Sequence, residues 1–227
     1  MNSKGIFITG TDTGVGKTWT TLAIMHALKS RGLCVAGMKP VASGAANIKN
    51  HLKNEDALMI QAECSTEQPY EQVNPYIFAE PIAPHIAAQN AGVKINLDPI
   101  TRAYNNMVGR CDFVVVEGIG GWRVPLAEQL STIDMVRALR LPVVLVIGLR
   151  LGCINHALLT AESIRADGVL LSGLVANGVD AEYTYREQTL QTLTRSINAP
   201  LLGVFPYMKP RDTAALAGNL DIMQIMD

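Results

Sequence analysis

Two lysines, one threonine and two carboxylates carry the chemistry on offer in this chain. Lys17 and Thr18 close the stretch GTDTGVGKT, residues 10–18, in which five residues rather than four separate Gly10 from Gly16. A glycine-rich turn between a strand and a helix points backbone N–H groups at anionic oxygens, and the helix N-terminus adds partial positive charge. At the end of such a turn Lys17 offers a point charge to β- and γ-phosphates, and Thr18 offers a hydroxyl to Mg²⁺. The extra residue lengthens the turn but leaves the GKT end intact. Phosphate binding therefore survives the departure, and the lengthening falls near the γ-phosphate or a second substrate. A hard divalent cation takes few protein oxygens and completes its shell with phosphate and water. Glu117, at the end of DFVVVEG, is one candidate ligand. Open α/β sheets gather their ligands at the C-terminal ends of strands, and the GIGG that follows lets backbone approach one. Asp56, in NEDAL, is the other candidate, and by position alone it reads equally as a helix start. Lys39, ahead of Pro40 at a strand's end, brings a second cation to the same edge.

The elements that must position these groups are visible as alternating patterns. Apolar runs at 5–10, 33–39, 112–118, 142–148, 169–177 and 200–205 are short and rich in β-branched residues. They read as strands buried on both faces, as in a parallel sheet. Helical patterns lie between them: 17–31, stopped by Gly32; one opened by Asp98 as cap with Pro99 first; one started by Ser131 and Asp134; 153–166; and 181–197. The alternation predicts a three-layer, doubly wound α/β fold with a mostly parallel sheet, in one domain over 1–227. Segment 40–97 holds MKPVASG, a polar stretch and VNPYIFAEPIAPH. It reads as an insertion or long connection on the ligand side of the sheet, and such long loops are usually functional.

Composition narrows the function classes. Of 227 residues, 48% are hydrophobic and 17% charged, which supports a large core and argues against disorder. The net charge of −1, with no basic stripe, disfavours nucleic acid as a partner. Cys34, Cys64, Cys111 and Cys153 form no metal-ligand spacing and read as reduced thiols. The first apolar run is too short for a signal-peptide core and nothing approaches a membrane span, so the expectation is a cytoplasmic protein without a membrane partner.

GTDTGVGKT, MKPVASG, EDAL, VNPYIFAEPIAPH, VVVEGIGGW, GLRLGCINHALLT, GLVAN and APLLG occur in this order between about residues 5 and 207. Together they resemble the dethiobiotin synthase family of the P-loop NTPase superfamily, whose loop also has five residues between its glycines. The resemblance implies an ATP- and Mg²⁺-dependent ligase acting at the penultimate step of biotin biosynthesis. CO₂ adds to one amine of 7,8-diaminononanoate to give a carbamate. The carbamate attacks the γ-phosphate to give a carbamic–phosphoric anhydride, and the second amine closes the cyclic urea, expelling phosphate. The resemblance assigns catalytic roles to Lys39, Lys17 and Thr13, with Ser43 beside Lys39 at the carbamate and amine. It places Gly14, Val15, Gly16, Lys17, Thr18, Trp19, Asp56, Glu117, Gly118 and Gly120 around the nucleotide, with Thr18, Asp56 and Glu117 on the metal. Asn177, with backbone near Pro206 and Tyr207, resembles the adenine site. Gly152, Cys153 and Asn155 resemble a helix N-terminus that holds the substrate carboxylate across a homodimer interface, and Tyr183 or Tyr185 contacts the same carboxylate. Gly14 stands where relatives can carry an acidic residue.

Two other readings compete. Regulatory ATPase switches of the partition or septum-site type share the fold and the GKT end, but usually carry a lysine early in the loop, where this chain has Asp12. Their membrane-targeting forms need a basic amphipathic tail, and NLDIMQIMD is acidic. The synthetase part of a cobyrinate amidase would bring a glutaminase domain, and no stretch here fits one.

Overall fold

The computed structural model describes residues 5–226. The chain begins with β1 (Gly5–Gly10), α1 (Lys17–Lys29) and β2 (Val35–Met38). Small elements follow: β3 (Val41–Ala42), β4 (Ala46–Ile48), β5 (His51–Lys53), α2 (Glu55–Glu63), α3 (Tyr70–Val73), β6 (Tyr76–Ile77) and α4 (Pro84–Asn90). Then come α5 (Leu97–Val108), β7 (Phe113–Glu117), β8 (Pro125–Ala127), β9 (Leu130–Ser131), α6 (Thr132–Leu139) and β10 (Val143–Leu149). The last elements are α7 (Cys153–Ala166), β11 (Leu171–Gly178), α8 (Arg186–Ser196), β12 (Leu201–Phe205) and α9 (Thr213–Ala217).

Six strands form one parallel sheet in the order β12-β11-β10-β1-β7-β2. Every residue of β1, β2, β7 and β10 is buried, which is why these runs are apolar without alternation. From β1 the chain steps out to the edge at β2, returns to β7 beside β1, and then crosses to β10 on the other side. Strand order therefore reverses about β1, and its C-terminal end is a switch point where open sheets leave a crevice. α1 packs with α2 and α9, while α5 packs with α6 and α7 with α8. Right-handed crossovers put α1 on one face and α6, α7 and α8, which lead the opposite way, on the other. The α/β P-loop fold expected from the sequence is thus the fold observed.

Two sequence expectations need correction. α5 starts at Leu97 behind Asn96, so Asp98 is not its cap and Pro99 sits third in the helix. Proline is tolerated there because the first N–H groups of a helix have no intrahelical partner. α8 starts at Arg186, not at 181. Upstream, Asp180 Oδ1 accepts from the Glu182 N–H, and Arg186 donates to the Asp180 carbonyl, local bonds that compete with helix. Segment 40–97, expected as an insertion or long connection on the ligand side, carries β3 to β6 and α2 to α4 and reaches the ligand edge of the sheet. Ser131 and Asp134 form a complete capping box on α6. All four cysteines are free, with the Cys34 and Cys111 sulfurs 3.0 Å apart. Among the described residues, no helix is long and apolar enough to cross a membrane.

Candidate active site

The loop after β1 is shaped by what its glycines permit. Gly16 has φ 94°, and a Cβ there would fall 1.8 Å from Asn177 Nδ2. That nitrogen donates to the Val15 carbonyl at 2.8 Å, so the buried Asn177 at the end of β11 ties down the loop from below. Asp12 holds the outer side: Oδ1 accepts from the Thr13 N–H, and Oδ2 accepts from Arg150 at 2.7 Å. Lys17, the first residue of α1, donates to the Asp12 carbonyl at 2.9 Å. It is only 8% exposed. Burial lowers its pKa to about 8; Glu117 and Asp56 pull the other way, and Lys39 adds to the fall.

The second cluster is assembled by sheet register. β2 pairs with β7 so that Met38 lies opposite Val116, which brings the next residues, Lys39 and Glu117, side by side. The Lys39 ammonium contacts Glu117 Oε1 and lies 2.9 Å from Asp56 Oδ2. Asp56 reaches this point because Asn54 caps α2, its side chain accepting from the Ala57 N–H. Burial presses the Lys39 ammonium toward neutrality, but Glu117 and Asp56 more than offset it and its pKa is raised. Burial likewise works against the Asp56 carboxylate, yet Lys39, with help from Thr18, holds its pKa below the ordinary value. Thr18 donates to Glu117 Oε1 at 3.0 Å. Glu117 Oε2 is buried and accepts no hydrogen bond, which leaves an oxygen free for a cation. Thr18, Asp56 and Glu117 form an oxygen-only donor set, of the kind a hard cation takes alongside phosphate and water.

Both clusters open on one cleft of about 770 Å³. Thr13, Gly14, Gly16, Lys17, Thr18, Trp19, Lys39, Ser43, Asp56, Glu117 and Gly120 all line it. Val15 and Gly118 stand behind the wall; a Cβ on Gly118 would press on the Phe7 ring at 2.8 Å. Asn177 lies behind the loop, and the backbone of Pro206 and Tyr207 packs on Gly178 at the end of β11. Gly152, Cys153 and Asn155, at the start of α7, do not line the cleft. The Cys153 side chain is buried, while neighbouring Leu151 is 91% exposed. The Tyr183 hydroxyl bonds to Thr189 and Tyr185 points to solvent, so neither tyrosine reaches the cleft within this chain. Trp122 is packed, its indole N–H donating to Asp167.

Sequence reasoning missed part of the wall. Pro81, Ile82, Ala83 and Pro84 close the cleft from the 40–97 segment, and Arg211 enters from the C-terminal region. Asn54, Tyr70 and Asn74, behind Lys39 and Asp56, also went unassigned. Asn54 had a signal, an N-cap residue followed by two acids, and Asn74 lies in VNPYIFAEPIAPH, a motif that carries the resemblance but assigns it no role.

Both the sequence and the fold resemble those of known proteins. The model of an AAA domain family matches residues 4–214. An ATP-dependent dethiobiotin synthetase BioD of Pseudomonas aeruginosa is 48% identical over 217 residues, covering 95% of each chain. That of Xanthomonas oryzae pv. oryzae is 45% identical over 222 residues, 98% of this chain and 99% of its own. That of Cellvibrio japonicus is 44% identical over the full length of both chains. Among solved structures, the septum site-determining protein MinD with Mg-ADP from Pyrococcus horikoshii superposes with a TM-score of 0.52 at 16% identity, covering 98% of this chain and 94% of that one. The MinC:MinD complex of Aquifex aeolicus gives 0.57 at 14% identity, covering 91% and 82%. These last two share the fold alone.

Proposed function

The chain belongs to the ATP-dependent dethiobiotin synthetase family, and from that premise we propose that its cleft joins CO₂ to 7,8-diaminononanoate and closes the cyclic urea at the expense of ATP. It is an ATP-dependent ligase of biotin biosynthesis. The observation that carries the site assignment is the convergence of two buried lysines, Lys17 and Lys39, with Thr18, Asp56 and Glu117 in one cleft at the switch point.

The chemistry brings two anions together. A carbamate oxygen must approach the γ-phosphorus of ATP, and their repulsion has to be neutralised in place. The loop N–H groups and Lys17 take the phosphates, for which the uncompensated charge of Lys17 is suited. Lys39, with Ser43 on the same stretch, meets the carbamate and the amine, and Thr13 stands on the loop between substrate and phosphate. The carbamate oxygen then bonds to phosphorus as ADP leaves. The second amine attacks the carbamoyl carbon of the anhydride, inorganic phosphate departs, and the ring is complete. An amine held in line has an effective molarity on the order of 10⁵ M, so water does not compete. Thr18, Asp56 and the free Oε2 of Glu117 fit Mg²⁺, which when bound would spread the charge of the β- and γ-phosphates. Asn177, Pro206 and Tyr207 belong to the adenine end.

Gly152 and Asn155 at the start of α7, with the Cys153 backbone, take the substrate carboxylate of a second copy, since in one chain they stand outside the cleft. Exposed Leu151 beside them suits such a homodimer interface. The carboxylate-contacting tyrosine is then Tyr183, swung from Thr189, or exposed Tyr185.

The test mixes protein, MgATP, bicarbonate and diaminononanoate and follows ADP and product mass. ADP release that ignores the diamine, or the absence of a cyclic urea, overturns the reading. Sedimentation showing a fully active monomer overturns the shared carboxylate site.

A further inference from the structure

The proposed chemistry makes no use of Asn74, a polar side chain only 2% exposed, directly behind Lys39. Its carboxamide is fully engaged. Nδ2 donates to the Lys39 carbonyl at 2.7 Å and to the Tyr76 carbonyl at 3.0 Å, and Oδ1 accepts from the Tyr70 hydroxyl at 3.1 Å. That hydroxyl accepts in turn from the Asn54 N–H at 2.8 Å. Asn54 is the cap of α2, its own Oδ1 accepting from the Ala57 N–H at 3.1 Å. The relay runs from the Lys39 peptide, through Asn74 and Tyr70, to the cap of the helix whose first turn carries Asp56. Backbone bonds brace it on both sides, from the Lys39 N–H to the Val73 carbonyl and from the Tyr76 N–H to the Pro40 carbonyl. The Lys53 ammonium lies over the Tyr70 ring, 3.4 Å from its centre.

Lys39 and Asp56 are 17 residues apart on different elements, so nothing local sets their spacing. Reacting groups need to be held to within about 0.5 Å, by side chains that are themselves locked by packing and hydrogen bonds. A buried network with every partner satisfied does this, because any other arrangement strands a polar group away from water. Only an amide side chain donates twice and accepts at once. An ionised aspartate at 74 would set an acceptor against two carbonyls, and an aliphatic residue would leave the Lys39 carbonyl without its donor.

We infer that Asn74 is a positioning residue for the reaction. Together with Tyr70 it sets the Lys39 ammonium relative to Asp56 and Glu117, and so aims it at the carbamate. It touches neither substrate nor reacting atoms. The inference rests on the role of Lys39 proposed above.

Tyr70→Phe removes the hydroxyl alone and keeps the ring under Lys53, so it tests the relay even where Asn74→Ala folds poorly. A displacement near 1 Å costs on the order of 10² in rate. Asn74→Ala is therefore expected to lower kcat by about 10²-fold and Tyr70→Phe by about tenfold, with KM for ATP unchanged, because the phosphate loop is held by other bonds. Adding Tyr70→Phe to Lys39→Ala should cost no further rate, since the hydroxyl acts through that lysine. Lys39→Ala inactive beside Tyr70→Phe at wild-type kcat overturns the positioning role alone. Tyr70→Phe that raises KM for ATP as far as it lowers kcat, or that slows Lys39→Ala by the same factor, marks a structural role and overturns it too. Near-normal turnover by Lys39→Ala overturns the Lys39 assignment first, and the positioning role with it.

Discussion

Lys17 and Lys39 lie at the same edge of the sheet and are both nearly buried, yet their surroundings drive their charges in opposite directions. At Lys17 burial dominates: the ammonium donates to a carbonyl, and its pKa falls to about 8. Lys39 is enclosed further, but contact with Glu117 and Asp56 outweighs burial and raises its pKa. The difference follows from the elements. Lys17 opens α1 behind a glycine loop, where helix N–H groups repel a cation and attract an anion. Lys39 follows β2, whose register against β7 sets it beside Glu117. Keeping Lys17 charged with no anion in the loop, at a pKa near 8 instead of 10.5, costs on the order of 3 kcal/mol. The loop is short of negative charge, which nucleotide phosphates bring. Lys39 is already compensated, by two carboxylates. Lys17 is left to meet a ligand's charge, whereas Lys39 is held in place by charges of the protein itself.

Removing each lysine in turn tests that contrast most strongly. In nucleotide-free protein, Lys39→Met leaves buried Glu117 without its cation. Breaking a buried pair from one side costs about 3–5 kcal/mol, so the urea midpoint should fall markedly. Lys17→Met removes an uncompensated charge, and its midpoint should hold or rise. Equal losses in the two proteins would erase the distinction. Calorimetry should show ATP binding lost with Lys17→Met and kept with Lys39→Met. On folded protein, Lys39→Ala should lower turnover by about 10²–10³, comparable to loss of one oxyanion donor. Lys39→Met combined with Glu117→Gln should regain much of the lost stability, because the fully buried carboxylate is gone and Asp56, whose side chain is 38% exposed, can be hydrated. If the pair stays as unstable as the single variant, Glu117 is not the source of the cost.

The same divide decides what could be read from the sequence. GKT, the glycines before it and Glu117 at a strand end are local signals, and the structure brings their residues to one cleft. The six strands were legible because burial on both faces leaves an unbroken apolar run. The partnership of Asp56 with Lys39 was not, since it depends on where α2 docks. Tyr70 and Asn74 were not, since the bonds that give them a role, Asn74 to the Lys39 carbonyl and the Asn54 N–H to Tyr70, reach across chain separations that no period reports. Arg211 arrives from beyond the last strand with no motif around it.

A smaller effect is expected where the loop leans on tertiary structure. Asn177 is the point at which β11 holds the Val15 carbonyl, at 2.8 Å. Asn177→Ala leaves that buried carbonyl without its donor, at a cost of about 1–3 kcal/mol. The loss should appear both in the denaturation midpoint and in ATP affinity, while the KM for the diamine changes little. A variant that weakens the diamine and spares ATP would show that Asn177 serves the Lys39 side instead.

The capping box on α6 gives the smallest effect, and it shows what a local device does when no ligand depends on it. Asp134 Oδ2 accepts from the Ser131 N–H at 2.8 Å and from its hydroxyl at 2.6 Å. The Ser131 hydroxyl chiefly, against a smaller opposing effect of burial, holds the Asp134 pKa below its ordinary 3.8. A carboxyl whose folded pKa lies below its unfolded one binds fewer protons in the native state. Its stabilisation is complete above the unfolded value and is lost as pH falls through the folded one. Asp134→Asn should therefore cost about 1 kcal/mol at neutral pH, the usual scale of a cap, and the gap to wild type should close as the solution is taken below about pH 3.8. No residue of α6 lines the cleft, so ATP binding and turnover should be kept. Thermal unfolding of both proteins between neutral and acid pH reads the gap directly. A gap that persists in acid would mean that Asp134 stabilises the helix by something other than its charge, and the contrast with the Lys39 cluster, where lost charge balance also costs turnover, would have to be redrawn.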